Sequence, residues 1–321
     1  MLIAQGPLRI SLVGGGSDLP SFLERNDGAV LSFAINRRVF IIGHPFTHRP
    51  GILLKYSQTE DVSAPSEIRH PIAREVLSRY HINDIDLAVM ADVPAGTGLG
   101  SSSSFTVALL AFVRHLVGEA STPVDLATEA CEIEIGVLGE PIGYQDQWAS
   151  ALGGVNVIRF SHTDVKAESV GLTAESVRAL EKNLHLIPIG KPRSAGSLLA
   201  NQTQALSGSG EADDITRALA GLVDQGKRIL QSSLDDLGPL LDEAWSLKRR
   251  VNSGISNDAV DVLYTQGRTA GATGGKLLGA GGSGYFAFYV PSSAHEEFAE
   301  VFPSRLFFEV SNQGAGVIHE S

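Results

Sequence analysis

Apolar and polar residues recur along this chain with two different periods, which together predict an α/β fold. From Phe105 to Val117 the apolar residues follow the three- and four-residue spacing of a buried helix, and the run Leu87–Ala91 before it is strand-like. A helix-rich region is predicted from Asp213 to Gly267. Further strands are predicted at residues 8–13, 28–36, 52–56, 155–160 and 184–189. Residues 37–43 either continue the strand at 28–36 or form a third strand. Further helices are predicted at 71–80 and 123–138.

The composition is that of an ordinary globular protein and argues against several kinds of partner. The 321 residues are 43% hydrophobic and 19% charged, which suits one large or two medium domains. A formal net charge of −11 argues against nucleic acid. No apolar run reaches the roughly 18 residues of a membrane span, and no signal peptide is recognisable. The single cysteine, Cys131, fits a reducing compartment, so we expect a cytoplasmic protein without membrane partners.

A segment rich in glycine and serine joins the strand at 87–91 to the buried helix. Gly96, Gly98 and Gly100 precede four consecutive serines, Ser101–Ser104, at the N-cap and first turn of the predicted helix. Free amides at a helix N-terminus attract anions, glycines let the backbone approach a phosphate, and hydroxyls are ligands for Mg²⁺. The segment therefore indicates a phosphate-binding loop, with a tight turn of small residues as the alternative.

The order of residues in this loop is not that of the common P-loop. Gly100 stands where a Walker loop carries lysine before Ser/Thr. The run Pro94-x-x-x-Gly98-Leu99-Gly100-Ser101-Ser102 instead resembles the nucleotide loop of the GHMP kinases, a superfamily named after galactokinase, homoserine kinase, mevalonate kinase and phosphomevalonate kinase. The resemblance implies that the nucleotide is bound by Gly96, Gly98, Leu99, Gly100, Ser101, Ser102 and Ser103.

A second resemblance lies near the N-terminus, where a strand carrying Arg9 runs into a glycine turn that ends at Asp18. Taken alone, this segment is an ordinary strand with one arginine and a flexible turn. Its spacing matches the first motif of galactokinases, which implies that Arg9 steadies the transferring phosphate and that Asp18 accepts sugar hydroxyls. Gly15 and Gly16 replace the Glu–His pair of galactokinases, which opens room beside the sugar and argues against galactose itself.

Two carboxylates further along complete the predicted site. Glu134 lies on the apolar face of the helix predicted at 123–138, where a carboxylate is costly unless it is paired or binds a cation. The alternative is a boundary residue that reaches water. Asp146 ends a loop rich in Gly and Pro and, by position alone, is a helix N-cap. The resemblance implies that Asp146 is the catalytic base and that Glu134 and Ser102 hold Mg²⁺.

The C-terminal half carries two weaker signals. The glycine turn Gly279–Gly284 before a strand resembles the third GHMP motif, which folds against the nucleotide loop. Lys191 and Arg193 precede a predicted helix and indicate either an anion site or an ordinary solvated loop.

The resemblance extends over essentially the whole chain and implies a two-domain GHMP kinase fold. The expected parts are an N-terminal ribosomal-protein-like α/β domain at 1–165 and a C-terminal ferredoxin-like α/β domain at 170–321, with the active site between them. The implied reaction is transfer of the γ-phosphoryl group of ATP to a hydroxyl of a small molecule, with Mg²⁺.

The resemblance is stronger to heptose 7-phosphate kinases than to galactokinases. It rests on the turn at 14–18, on the strand that begins Gly28–Ser32 and on Arg193–Ala195. It implies D-glycero-D-manno-heptose 7-phosphate as the substrate, phosphorylated at its anomeric hydroxyl, with Gly15, Gly16, Ser17, Asp18 and Arg193 in contact with it. The alternatives are a fucokinase-like kinase of a free sugar, a decarboxylase of the same superfamily and a non-catalytic sugar sensor.

Overall fold

A computed structural model describes residues 1–190 and 210–320 and confirms the α/β class. A strand follows each predicted apolar run, with some ends extended, but the strands at Thr59–Val62, Val165–Ser169, Gly274–Leu277 and Gly316–Glu320 were not predicted. The strands are β1 (Leu2–Val13), β2 (Gly28–Pro45), β3 (Gly51–Lys55), β4 (Thr59–Val62), β5 (Asp84–Ala91), β6 (Val155–Phe160), β7 (Val165–Ser169), β8 (Leu184–Ile189), β9 (Gly274–Leu277), β10 (Gly284–Tyr289) and β11 (Gly316–Glu320).

The described helices lie between these strands and dominate the region after residue 210. They are α1 (Pro20–Leu23), α2 (Pro71–Arg79), α3 (Ser101–Leu116), α4 (Pro123–Cys131), α5 (Gln145–Leu152), α6 (Ala174–Asn183), α7 (Glu211–Gly221), α8 (Val223–Gln231), α9 (Leu237–Val251), α10 (Asp258–Thr269) and α11 (His295–Val301). A π-helical turn, Glu132–Val137, follows α4 directly, and short 3₁₀ turns lie at Pro65–Glu67, Leu234–Asp236 and Ser292–Ala294. None of the helices in these ranges is long and apolar enough to cross a membrane.

The first sheet is built around one long strand. β2 is continuous over 18 residues, so the stretch at 37–43 continues the strand before it. Its first part pairs with β6 and its second part with β5, while β1 runs along its other edge. The strand order is β11-β1-β2-β5-β3-β4, with β6 also paired to β2 and β7 paired to β6.

A second sheet lies in the C-terminal half of the chain. It is antiparallel, has the order β8-β10-β9 and carries Phe286 in its centre. The ring of Phe286 meets Trp245 of α9 edge to face, at 5.5 Å between ring centroids.

The last strand, β11, pairs with β1 in the first sheet, so the two halves of the chain are interleaved there. The division into domains at 165–170 remains a prediction.

Helix α3 is the centre of the first layer. It packs against β1, β2, α4 and α5, and its residues from Ser103 to Val113 are all buried. A helix that is apolar on every side is expected to be enclosed in this way. Burial of a large side chain such as Phe112 contributes about 1.5–3 kcal/mol. The N-terminus of α3 is held against the middle of β1, where the Ser104 hydroxyl donates to the Pro7 carbonyl at 2.8 Å.

Candidate active site

A cavity of about 550 Å³ opens where the two halves of the chain meet. One wall is the glycine turn after β1, and another is the loop before α3. The C-terminal half supplies α9 and the turn after β9. The residues that line the cavity include Arg9, Ser11, Gly14, Gly15, Gly16, Asp18, Gly96, Gly98, Gly100, Ser101, Ser102, Ser103, Glu134, Gln145, Asp146, Lys248, Lys276 and Gly279. A volume of this size is typical of small-molecule sites.

Arg9 and Asp146 form a two-pronged ion pair in the middle of this cavity. The Arg9 Nε atom donates to one Asp146 oxygen and its Nη2 to the other, each at 2.7 Å. The remaining Nη1 donates to the carbonyl of Gly98 at 2.6 Å. The arginine side chain is 5% exposed and the aspartate 24%. Two parallel charge-assisted hydrogen bonds fix both groups at the loop that precedes α3.

The helix-cap interpretation of Asp146 is wrong. Helix α5 begins at Gln145, so Asp146 lies within its first turn, and the N-cap Tyr144 makes no side-chain capping bond. The Asp146 carboxylate is turned toward Arg9 instead. It also packs against the nucleotide loop, because a Cβ atom placed on Gly100 would lie 3.2 Å from the Asp146 Oδ2 atom.

Asp18 is a buried carboxylate at the end of the glycine turn. It accepts hydrogen bonds from the backbone amides of Gly16 at 2.9 Å and Gln145 at 3.1 Å, and from the Gln145 side chain at 3.2 Å. Burial and the nearby Asp146 charge raise the pKa of Asp18, while these backbone amides lower it. Gly143 packs so closely that any side chain there would overlap the Asp18 carboxylate.

The glycine turn combines backbone and side-chain requirements. Gly14 and Gly16 have φ values of +90° and +97°, which favour glycine. The Ser17 hydroxyl contacts the carbonyls of Gly14 and Ala29 and accepts from the Ala29 amide, so this side chain holds the turn and does not line the cavity. At Gly15 the backbone imposes no such requirement, and an added Cβ would meet only ordinary contacts at 3.5 Å and beyond. A Cβ atom would therefore fit at Gly15 without displacing a neighbour.

The loop before α3 has the geometry of an anion cradle. Gly96, Gly98 and Gly100 have φ values of 75°, 79° and 76°. The N-cap is Gly100, not a serine, and it offers no side chain to the amides of the first turn. These amides at Ser101–Ser103 are thus free of a side-chain cap at the positive end of the α3 dipole. Leu99 is fully buried, and its carbonyl accepts from the Arg9 amide at 3.0 Å.

The glycine turn after β9 closes against this loop. A Cβ atom on Gly98 would lie 2.7 Å from the carbonyl oxygen of Leu278, and one on Gly279 would overlap Gly98 itself. Only glycines permit the two backbones to approach so closely. The turn predicted to resemble the third motif is therefore in contact with the predicted nucleotide loop.

Glu134 is 1% exposed, so the interpretation as a boundary residue that reaches water is wrong. It lies in the π-helical turn Glu132–Val137, in which the helix is wider than an α-helix. Its carboxylate accepts from Thr106 at 3.0 Å and from the Gln147 amide at 2.6 Å. The Ser102 hydroxyl lies 3.5 Å away. Burial raises the pKa of Glu134 to about 7, although hydrogen bonds from neighbouring side chains lower it.

The structure adds two lysines that the motifs did not indicate. Lys248 of α9 and Lys276 of β9 are 8% and 4% exposed, and both line the cavity. A signal was present for Lys248, because it follows the buried residues Ala244 and Trp245 at helical spacing. Arg193 lies outside the described residues, as does Lys191.

Comparisons with known proteins agree with this architecture. Residues 68–154 match the family model described as the GHMP kinases N terminal domain. The chain is 24% identical over 305 residues to D-glycero-alpha-D-manno-heptose 7-phosphate kinase of Campylobacter jejuni, covering 89% of this chain and 88% of that protein. It is 27% identical over 320 residues to mevalonate kinase of Pyrococcus horikoshii, covering 92% of this chain and 90% of that protein.

Solved structures share the fold over the full length. A D-glycero-D-manno-heptose 1-phosphate kinase from Bacteroides thetaiotaomicron superposes with a TM-score of 0.82 at 21% identity, covering 100% of both chains. Lactococcus lactis galactokinase, solved with galactose, gives a TM-score of 0.73 at 16% identity and covers 99% of this chain and 94% of that one. The predicted fold is confirmed. Residues 68–154 thus match the GHMP kinase family and the whole chain has the fold of these kinases, which confirms the predicted resemblance and a phosphotransferase with an alcohol group as acceptor.

Proposed function

We propose that this kinase transfers the γ-phosphoryl group of ATP to the anomeric hydroxyl of D-glycero-D-manno-heptose 7-phosphate. The observation that carries the proposal is the Arg9–Asp146 pair, which stands where the loop before α3 meets the glycine turn of Asp18. A phosphoryl donor bound at the loop before α3 and a sugar bound at the glycine turn would therefore face each other across this pair.

In this reaction the acceptor hydroxyl oxygen bonds to the γ-phosphorus while the bond to the bridging oxygen breaks, and ADP leaves with that electron pair. The hydroxyl proton passes to Asp146 or is oriented by it. Each Asp146 oxygen accepts one bond from Arg9 and keeps a further lone pair for the substrate. Arg9 neutralises charge on the transferring group, and its fixed geometry supplies positioning, which is most of what phosphoryl transfer requires.

The donor side suits a nucleotide phosphate chain. The amides of Ser101–Ser103 and the left-handed glycines before them offer donors without interfering side chains. Glu134 and Ser102 are the residues that would hold Mg²⁺, since a carboxylate and a hydroxyl leave most positions to phosphate oxygens and water. Within the described residues no group of three or more His, Cys, Asp or Glu side chains forms an all-protein metal site. Bound Mg²⁺ would supply charge neutralisation of the phosphates.

The acceptor side suits a polyhydroxylated ligand. Asp18 is an acceptor in the wall, and Ser11 and Gln145 each carry a buried oxygen without a hydrogen-bond partner. Such oxygens need a partner from a ligand or water, since an unsatisfied buried polar atom costs about 1–3 kcal/mol. Gly15 lines the cavity beside Ser11 and Gln145 without a side chain of its own, which leaves that part of the acceptor side to the sugar.

Two named relatives support a sugar that already carries a phosphate, since both are called kinases of a heptose phosphate. They differ in the position of that phosphate, which is 7 in one name and 1 in the other.

A fucokinase-like activity is the second candidate, because the chain is also 25% identical over 305 residues to a bifunctional fucokinase of Arabidopsis thaliana, although it spans only 29% of that protein. The intact Arg9–Asp146 pair argues against a non-catalytic sensor.

ADP release measured over a panel of acceptors tests the proposal. The panel contains D-glycero-D-manno-heptose 7-phosphate, the free heptose, fucose, galactose and mevalonate. We expect kcat/KM to be highest for the heptose 7-phosphate, with the product phosphorylated at the anomeric carbon by ³¹P NMR. Turnover of fucose at least as fast as of the sugar phosphate would favour the second candidate, and absence of turnover with every acceptor would contradict the proposal.

A further inference from the structure

Two buried lysines share the cavity with Arg9, and the reaction scheme above uses neither. Lys248 Nζ donates to the carbonyls of Leu277 at 3.0 Å and Gly279 at 2.5 Å. Lys276 Nζ donates to the carbonyls of Ser11 and Leu12, both at 2.9 Å. Each ammonium group has three N–H donors, so each keeps one after these bonds are made.

No carboxylate among the described residues lies within ion-pair distance of either lysine. This is unusual, because a buried charge is expected to be paired. The Asp18 charge is near enough to raise the pKa of Lys248, but no salt bridge forms. Each of these lysines thus keeps one N–H donor that no ion pair within the described residues uses.

Lys248 stands at the boundary between the donor and acceptor sides. Its partner Gly279 packs on Gly98 of the nucleotide loop, and Gly98 in turn accepts from Arg9. Lys248 therefore approaches the loop from the C-terminal half, while Arg9 approaches it from β1. Lys276 is anchored on the backbone of β1, next to the glycine turn.

We propose that Lys248 is a further catalytic residue, whose free N–H binds the γ-phosphoryl group of the nucleotide and follows it during transfer. Lys276 is a positioning residue that holds β9 against the end of β1. The inference rests on the proposed function, because it takes the nucleotide at the loop before α3. During transfer the γ-phosphorus gains the acceptor oxygen and loses the bridging oxygen to ADP, and Lys248 keeps its proton throughout as a hydrogen-bond donor.

The electrostatics of the free site agree with this role. Burial, and to a smaller extent the Arg9 charge, lower the pKa of Lys248 to about 7, although the Asp18 charge raises it. A phosphoryl group beside Lys248 would stabilise its charged form. The alternative is a purely structural role, in which Lys248 only ties Leu277 and Gly279 in place. The two roles differ in one respect: a structural tie does not distinguish ATP from ADP.

Calorimetric titration with ADP and with the non-hydrolysable ATP analogue AMP-PNP makes that distinction and needs no acceptor. In Lys248→Met we expect the Kd of AMP-PNP to rise by about 10- to 100-fold, the value of one hydrogen bond to a charged group. The Kd of ADP should be unchanged. Lys276→Met is the matched control, since it removes an equally buried ammonium with two carbonyl bonds, and it should not change the ratio of the two constants.

Lys248→Gln is the second variant and keeps a donor for one carbonyl, so it covers the case in which the methionine variant fails to fold. It should show the same selective loss for AMP-PNP, and Lys248→Arg should partly restore the affinity. An equal change for both nucleotides, or none, in the folded variant would overturn the inference while leaving the proposed function intact. Absence of nucleotide binding by the unmodified chain would overturn both.

Discussion

Arg9 and Asp146 are 137 positions apart in the sequence, yet the guanidinium of the first meets both oxygens of the second at 2.7 Å. The pair joins β1 to the first turn of α5, and through Gly98 it also joins the loop before α3. Three elements of the predicted site are therefore held by one side chain. A change at either partner is expected to affect the reaction more than the binding of nucleotide.

Replacement of Asp146 by asparagine tests its role as a base. We expect Asp146→Asn to lower kcat by roughly 10²–10⁴-fold, the usual range for removal of a general base, with the Kd of ATP unchanged. Steady-state kinetics and calorimetry measure the two quantities. Asp224→Asn, which breaks an exposed pair with Arg159, is the control and should leave both unchanged. Near-normal kcat in the first variant would show that Asp146 only positions Arg9.

The role of Glu134 is tested through the metal requirement. Glu134→Gln keeps the shape of the side chain but removes a charged ligand, so the Mg²⁺ concentration for half-maximal activity should rise. Glu129→Gln is a matched control, because Glu129 is also buried but bonds Tyr80 and Arg114 on another side of α4. The control should not change the Mg²⁺ concentration for half-maximal activity. If this concentration is also unchanged in Glu134→Gln, the assignment of Glu134 as a Mg²⁺ ligand is contradicted.

Gly15 is expected to control the size of the acceptor site. The Cβ atom of Gly15→Ala meets only ordinary contacts, so the fold should be retained while the KM of the sugar rises and that of ATP does not. Gly171→Ala, at a position with open space around it, is the control. Gly14→Ala should instead destabilise the fold by about 1 kcal/mol or more, because its φ is +90°. Thermal unfolding separates these cases.

Arg193 is predicted from the sequence alone to bind the phosphate of the acceptor. A guanidinium offers paired donors to a phosphate, so Arg193→Ala should remove the preference for a phosphorylated sugar over its free counterpart. The KM of ATP should not change. The comparison requires kcat/KM for both sugars in both proteins. An unchanged ratio would indicate that Arg193 is an ordinary solvated residue.

Lys248 is expected to make stability depend on pH. Its pKa is about 7 in the folded chain against 10.5 for an ordinary lysine. Between these values the unfolded chain holds a proton that the folded chain lacks, so raising the pH stabilises the fold. Lys248→Met removes this contribution. Its free energy of unfolding in urea, relative to wild type, should therefore fall from about pH 7.5 to about pH 9. A difference that is constant with pH would contradict the expectation.

Several features of this kinase are determined by residues close together in the chain. The helix at Pro123 begins with the Thr122–Asp125 capping box, and α3 begins where the glycines end. Gly96, Gly98 and Gly100 adopt left-handed φ values that few other residues tolerate. Such preferences depend on a few neighbouring atoms, so pattern and motif order were enough to predict most of the strands, the glycine loop before α3 and the resemblance to GHMP kinases.

Only the tertiary structure decided which side chains meet. Glu134 is buried through a π-helical turn that the regular periodicity of α4 did not indicate, and β11 returns to the first sheet from the end of the chain. Lys248 and Lys276 reach one cavity from two elements of the C-terminal half. These contacts depend on how whole layers pack, because the distance between residues far apart in sequence is set by the burial of apolar faces and not by local conformation.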